Sequence, residues 1–291
     1  MRPLIVVLML SLSPLLSAAE RINVVTSFSI LADITRQLGG DQVQVINIVG
    51  PDSDAHVYET TPDDARHVLQ ARLVVENGLN FEPWLDRLIK TTGTQAQVVR
   101  ASQGILPRTL DEEGQTIPDP HAWNSLANAK IYAANIAKAL EAVDPGNAQA
   151  YRSHLAAYQQ QIDALLAEVK KSFAALPANN RRIVTSHDAF GYLGQAYGIE
   201  FLAPQGLSTD QEPSAKDVAS IISMIKRDKI KAVFIENIKD SRMMQQIADD
   251  TGAKIGGTLY SDALAGEGPA STYLGMYRQN VQTLTQALAG Q

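Results

Sequence analysis

The sequence predicts an α/β protein of two lobes, each built on a mostly parallel sheet, with one long helix running between them. Three observations carry this. Short β-rich runs alternate with helical stretches from residue 21 to residue 99, and the alternation restarts at residue 182; this is the pattern of a parallel sheet covered by helices. Between the two series, residues 145–177 hold a helical periodicity opened by Asp144-Pro145 and ended by Pro177. The 291 residues are 45% apolar and 19% charged, an ordinary globular composition long enough for one large domain or two small ones.

Residues 1–19 read as a secretory signal: Arg2 is a basic start, residues 4–16 are apolar apart from Ser11, Ser13 and Pro14, and small Ser17 and Ala19 precede a cut before Glu20. A membrane span would need ~20 apolar residues, and Pro14 breaks this shorter run. The chain has no cysteine. That excludes a disulfide scaffold, a Cys-rich zinc module, an iron–sulfur protein and a thiol nucleophile. Bacterial lipoproteins are tethered through a cysteine at the cleavage site, so the sequence predicts a mature protein free in the periplasm and not a lipoprotein. A net charge of −6 and 6% aromatic residues argue against a nucleic-acid partner.

The first lobe, residues 20–144, begins with a strand at 22–25 and a helix at 30–38 stopped by Gly39-Gly40. A strand at 43–49 follows, ended by Gly50-Pro51. Then come a helix at 63–71, a buried strand at 73–75, a helix at 81–89 and an extended run at 97–99. Residues 107–120 are a loop rich in Pro, Gly and acid, and an Ala-rich helix occupies 125–143. Asp144-Pro145 opens the long helix, with Asp as N-cap and Pro at the first helical position. Tyr151, Leu155, Tyr158, Ile162, Leu165, Val169 and Leu176 form its apolar stripe, and Pro177 ends it. At 1.5 Å per residue it measures roughly 45 Å, more than one lobe needs, so it reads as a strut along both rather than a coiled-coil arm. The second lobe, residues 178–291, has strands at 182–186, 199–202, 232–236 and 254–258. Its helices are at 189–197, 215–226, 241–251 and 272–288, the second opened by a Ser214/Asp217 capping box.

Of five histidines, His67 and His154 fall on helices and are expected to face solvent. His56, His121 and His187 fall in loops, and His56 and His187 lie beyond the carboxyl ends of strands, where open α/β sheets bind ligands. Three imidazoles converging there suit a late transition metal. A carboxylate would complete the set. Asp262, in the glycine-rich GGTLYSDALAGEGPAS, which is expected to be mobile, is the best candidate, with Asp188, Asp54, Glu59 and Glu236 competing or serving to fix an imidazole. Catalytic readings fare worse. Ser186-His187-Asp188 are adjacent and cannot form a triad, and the chain lacks G-x-S-x-G, H-E-x-x-H, G-x-G-x-x-G and the P-loop motif. Four protein ligands would close a zinc shell, so binding fits better than catalysis.

These segments also resemble a known family. GPDSDAHVYETTPDDARHVLQARLVVENGLNFEPWLDRLI, DPHAWNS, TSHDAFGYLGQAYGIEFL and KAVFIENIKDSRMMQQIADDTGAKIGGTLYSDAL are similar, in that order, to the motifs of zinc/manganese solute-binding proteins of ABC transporters. The resemblance implies two Rossmann-like lobes joined by one rigid helix, with metal in the cleft. It implies His56, His121, His187 and Asp262 as the metal ligands, and a non-enzymatic periplasmic monomer that delivers its ion to a membrane permease. Manganese-preferring relatives often carry glutamate at the third ligand; His187 here points to Zn2+ over Mn2+ or iron. Two departures stand out. Residues 107–120 hold Asp111, Glu112 and Glu113 but none of the histidines that many zinc members place there, and Thr60 stands where proline is common. A stiff strut leads us to expect ordering of residues 256–268 on metal binding rather than wide hinge closure. The rivals are a manganese or iron importer component, a periplasmic metal-dependent hydrolase, and an adhesin or metallochaperone; a chaperone could also be a loading partner.

Overall fold

Two four-stranded parallel sheets organise the chain. The structure, a computed structural model, describes residues 21–112, 115–177 and 181–289; the leader at 1–19 lies outside the described residues. In order, the first lobe holds β1 (Ile22–Phe28), α1 (Ser29–Gly39), β2 (Val43–Val49), α2 (Pro62–Gln70), β3 (Leu73–Glu76), α3 (Pro83–Thr92) and β4 (Gln97–Arg100). A hairpin of β5 (Thr109–Glu112) and β6 (Gln115–Pro118) precedes α4 (Leu126–Val143) and the strut α5 (Ala148–Ala174). The second lobe holds β7 (Arg182–Val184), α6 (Gly191–Tyr197), β8 (Glu200–Leu202), α7 (Ala215–Asp228), β9 (Ala232–Glu236), α8 (Arg242–Thr251), β10 (Lys254–Leu259) and α9 (Tyr273–Ala289).

The sheet orders are β2-β1-β3-β4 and β10-β9-β7-β8, and every pair within them is parallel. Both lobes therefore repeat one topology: the chain pairs its second strand on one side of the first, then returns to the other side. That reversal, between β1 and β3 and between β7 and β9, opens a crevice beyond the carboxyl ends of those strands. β3 is buried along all four residues, as a strand covered on both faces must be. Capping boxes close the starts of α2 (Thr61 with Asp64) and α7 (Ser214 with Asp217).

The strut is 27 residues long, roughly 40 Å. Tyr151, Tyr158, Ile162, Leu165, Val169 and Phe173 are its buried stripe. It starts later than Asp144-Pro145 suggests because Pro145–Asn147 forms a 3-10 turn. The Asp144 carboxylate is taken by Tyr151 Oη at 2.5 Å and Asn147 Nδ2 at 2.8 Å rather than by a helix N–H. One apolar core runs through both lobes and the strut, including Trp123, Tyr151, Phe173, Phe190, Phe234 and Tyr273. A smaller one, with Val184, Ile221, Val233 and Met244, lies beneath the second sheet.

Three local expectations are corrected. The loop at 107–120 contains an antiparallel hairpin pairing Thr109 with Pro118 and Leu110 with Ile117; strands of four residues, mostly polar, are too short to register as strands in sequence. His154 does not simply face solvent, since its Nδ1 lies 2.9 Å from Leu38 O at the end of α1. The segment after β10 is tied down despite its glycines: Ser29 Oγ accepts from Leu264 N at 2.9 Å and Asp33 Oδ2 from Tyr273 N at 2.8 Å. Through that second bond α9 starts against α1 of the first lobe. No described helix is long and apolar enough to cross a membrane.

Candidate metal centre

Each predicted histidine is fixed by its own backbone before it meets the others. His56 sits in the loop between β2 and α2, where Asp54 Oδ1 accepts from His56 N at 3.0 Å and Trp84 Nε1 donates to Ala55 O at 2.8 Å. Its ring stands edge-on to Phe81, centroids 4.6 Å apart. His121 precedes a 3-10 turn, Ala122–Asn124. There Asp119 Oδ1 accepts from His121 N at 2.9 Å and faces Nδ1 at 2.9 Å, while Arg108 Nη1 donates to Asp119 Oδ2 at 2.5 Å. Asn77, just past β3, donates to Pro120 O at 3.0 Å.

His187 follows β7. Glu236, the last residue of β9, accepts from Ser186 N at 2.8 Å and His187 N at 3.0 Å through Oε1. Its Oε2 lies 2.7 Å from His187 Nδ1, close but not aligned as a hydrogen bond, so we read this as a charge contact. Asp262 follows β10, and the residue before it is held by Trp123 Nε1 donating to Ser261 O at 2.8 Å. Phe28, Phe81 and Trp123 pack with centroids 4.8 to 5.0 Å apart and wall the first-lobe side.

The four residues His56, His121, His187 and Asp262 come together: each offers one ligand atom and these atoms all lie within 4.8 Å of one another. His56 Nε2 is 3.3 Å from His121 Nε2 and 3.2 Å from Asp262 Oδ2; His187 Nε2 is 3.1 Å from Asp262 Oδ2. His121 Nε2 is 3.6 Å from Asp262 Oδ1. Ligands about 2.0–2.1 Å from a tetrahedral ion stand about 3.3 Å from each other, so the spacing suits a bound dication. His121, His187 and Asp262 are fully buried, and the His56 side chain keeps 5% exposure. Access is therefore from the His56 side.

Electrostatics divide the set. Burial alone would lower the His187 imidazole, but the Glu236 and Asp262 charges outweigh it and hold it well above its usual range. Asp262 lies well below the carboxylate range although burial opposes this, because His187 and His121 face it. His56 is lowered by burial, only partly offset by Asp262. With Nδ1 facing Asp119 or Glu236, His121 and His187 present Nε2 to the centre, the arrangement that orients metal-ligating imidazoles.

The competing carboxylates stay outside the cluster. Glu236 stands behind His187, and Asp54 takes His56 N and, at 2.7 Å, Thr209 Oγ1. Asp188 is raised by burial, with Asp119 adding to the rise, and Glu59 is exposed. Asp119 was not singled out in sequence, although its place two residues before His121 was a signal. Arg108, Trp123 and Tyr192 could not be found that way, because their contacts join distant parts of the chain: Tyr192 Oη accepts from Arg108 N at 3.1 Å and donates to Asp119 O at 2.8 Å.

Comparison with known proteins now bears on this geometry. Residues 24–287 match the family model described as zinc-uptake complex component A, periplasmic (ZnuA). The chain belongs to this family. It is 35% identical over 270 residues to the iron-binding protein YfeA of Yersinia pestis, covering 92% of this chain and 86% of that one. It is 33% identical over 280 residues to the manganese ABC transporter substrate-binding lipoprotein PsaA of Streptococcus pneumoniae, covering 94% and 90%. The solved periplasmic zinc binding protein TroA of Treponema pallidum superposes with a TM-score of 0.87 at 32% identity, over 92% of this chain and 99% of that one. The two-lobe α/β fold with its candidate site in the cleft is thus that of the family. The protein is a metal-binding component of an ABC metal importer, working with a membrane permease, and not an enzyme.

One expectation is overturned. PsaA and FimA of Streptococcus parasanguinis, each 33% identical to this chain over 280 residues, are named lipoproteins, so the reading "not a lipoprotein" does not stand. Attachment depends on a few residues at a leader junction, outside the folded body, and the body's architecture is shared by tethered relatives. A place outside the cytoplasmic membrane is what fits.

Proposed function

We propose that this protein captures Zn2+ outside the cytoplasmic membrane, after export on the leader at residues 1–19, and hands it to the permease. His56 and His121 from the first lobe and His187 and Asp262 from the second are the ligands in this reading. One observation carries it: four donor atoms from both lobes lie within 4.8 Å of one another, and the contacts between them run from 3.1 to 3.6 Å, near the separation of about 3.3 Å that a tetrahedral ion imposes. The donor set supports zinc, since three imidazoles and one carboxylate suit it and manganese lies at the weak end of the divalent order.

A second reading, manganese or iron, is favoured by the names of PsaA and YfeA and by both Asp262 oxygens facing imidazole nitrogens, as a carboxylate placed to bind a higher-coordinate ion in bidentate fashion would. Competition titration of the metal-free protein with Zn2+, Mn2+ and Fe2+, together with metal analysis of protein isolated without added metal, separates the two, since raw affinity at nitrogen donors favours zinc over manganese in either case. Zinc binding at least a hundredfold tighter than manganese, abolished in His121→Ala, is the expected result. Tighter manganese binding overturns the zinc assignment, and retention of full affinity in both His121→Ala and Asp262→Ala overturns the site.

A further inference from the structure

The loop that carries His56 also carries an exposed aspartate whose hydrogen bonds, among the described residues, all reach the second lobe. Asp52 N donates to Leu264 O at 2.9 Å; Asp52 Oδ1 accepts from Asn237 Nδ2 at 2.9 Å and Oδ2 from Gly266 N at 2.9 Å. Asn237, just past β9, also donates to Ala263 O at 3.2 Å. One carboxylate therefore joins the loop after β9 to the loop after β10, both in the second lobe and across the cleft from its own backbone. To do so Asp52 adopts a left-handed backbone, φ 51°, which aspartate tolerates better than most residues.

Leu264 and Gly266 lie two and four residues beyond Asp262. On its inner side the same stretch is held by buried bonds, Ser261 O to Trp123 and Leu264 N to Ser29. On its outer side it is held by Asp52. We propose that Asp52 is a positioning residue: it latches the outer edge of the Asp262 segment to the first lobe and slows release of the bound ion, an inference that rests on Asp262 being a ligand. Because the latch is exposed, water competes for its hydrogen bonds, and a surface docking on the cleft can break it without disturbing the buried bonds beneath.

The test is Zn2+ release into excess chelator, followed by stopped flow in the full protein. Asp52→Gly keeps a left-handed backbone without strain and removes both acceptor oxygens; Asp52→Asn keeps one acceptor. Asn237→Ala removes one donor. Release is expected to be roughly tenfold faster in Asp52→Gly, with the other two variants intermediate, and association rates and the metal-free melting temperature close to wild type. Wild-type release in Asp52→Gly, with Asp262→Ala still accelerating release, refutes the latch and leaves the ligand assignment standing. Wild-type release in Asp262→Ala refutes the ligand assignment, and the latch falls with it. Acceleration accompanied by an equal loss of metal-free stability assigns Asp52 a general structural role and also overturns the proposal.

Discussion

Asp119 offers the sharpest probe of how the centre is prepared for its ion. Its Oδ1 serves both His121 N and His121 Nδ1, each at 2.9 Å, and its Oδ2 serves Arg108 at 2.5 Å. In Asp119→Asn one oxygen must be given up. The Arg108 side chain is 26% exposed and can turn to water, so the remaining oxygen stays on His121 and the ring keeps its orientation. In Asp119→Ala nothing holds Nδ1–H, the proton is free to move to Nε2, and the lone pair aimed at the cluster is lost in that tautomer. Removing a carboxylate behind a ligating imidazole typically costs 10–100-fold in affinity, about 1.4–2.7 kcal/mol. We expect Asp119→Asn near the lower end and Asp119→Ala near the upper end. Chelator competition at pH 7.5 measures both, with circular dichroism confirming the fold. Wild-type affinity in Asp119→Ala, with the fold intact, would show that packing alone orients His121.

Three further outcomes follow from the same geometry. Asp262→Ala should release metal faster than wild type while melting nearly alike without metal; equal release rates would remove Asp262 from the ligand set. Near neutral pH the metal-free protein carries a proton on His187, whose imidazole is held above its usual range by Glu236 and Asp262 against the effect of burial, whereas His56, lowered by burial, carries none. Affinity should therefore rise with pH until the His187 proton is lost, with about one proton released per ion bound; calorimetry in buffers of different ionisation enthalpy reads this, and zero release at pH 7 contradicts it. Glu82 is fully enclosed, and burial pushes its carboxyl from 4.5 up to about 8. The folded chain then keeps a proton that the unfolded chain gives up above pH 4.5. Stability should fall as pH rises from there to about 8, by on the order of 4–5 kcal/mol in total. Glu82→Gln should match wild type at pH 5 and exceed it at pH 9, and parallel denaturation curves across that range would count against a buried proton.

Where the sequence was legible, one local rule sufficed. Alternating β and α runs gave both sheets, because strands such as β3 are buried on both faces and read as unbroken apolar runs. Ser214 and Asp217 announced α7 three residues apart. His56 and His187 were visible as candidates because each follows a strand whose carboxyl end faces the crevice. What could not be read depends on contacts between distant segments. Nothing local to Gly256, Gly257, Gly266 and Gly268 says that Ser29 and Asp52 will hold the chain among and beyond them. Arg108 looks like an ordinary loop cation until the fold brings Asp119 and Tyr192 to it. Glu236 was read as a rival ligand or an imidazole-fixing carboxylate, and only the sheet order, with β9 beside β7, sets it behind His187 rather than in front.

The distribution of apolar contacts constrains how the ion can leave. Trp123, Tyr273 and Tyr277 are fully buried in the core that passes from the first lobe through the strut to the second. Hydrogen bonds stitch the same seam: Tyr273 Oη donates to Trp123 O at 2.6 Å, Tyr277 Oη to Asn124 O at 3.3 Å, and Asn124 Nδ2 to Ala189 O at 3.0 Å. Parting the lobes as rigid bodies would expose these rings, at about 1.5–3 kcal/mol for each large apolar side chain, and would leave their polar atoms to find new partners. Displacing the segment from Ser261 to Gly266 uncovers one large apolar side chain, Leu264, and breaks that segment's bonds to Trp123, Ser29, Asn237, Ala270 and Asp52. That segment carries the carboxylate which brings negative charge to three otherwise neutral nitrogen donors. With Asp262 as the ligand proposed above, moving it would open the coordination shell and remove the anion that offsets the ion's charge in one step, which makes local withdrawal of Asp262 the lower-cost route to release.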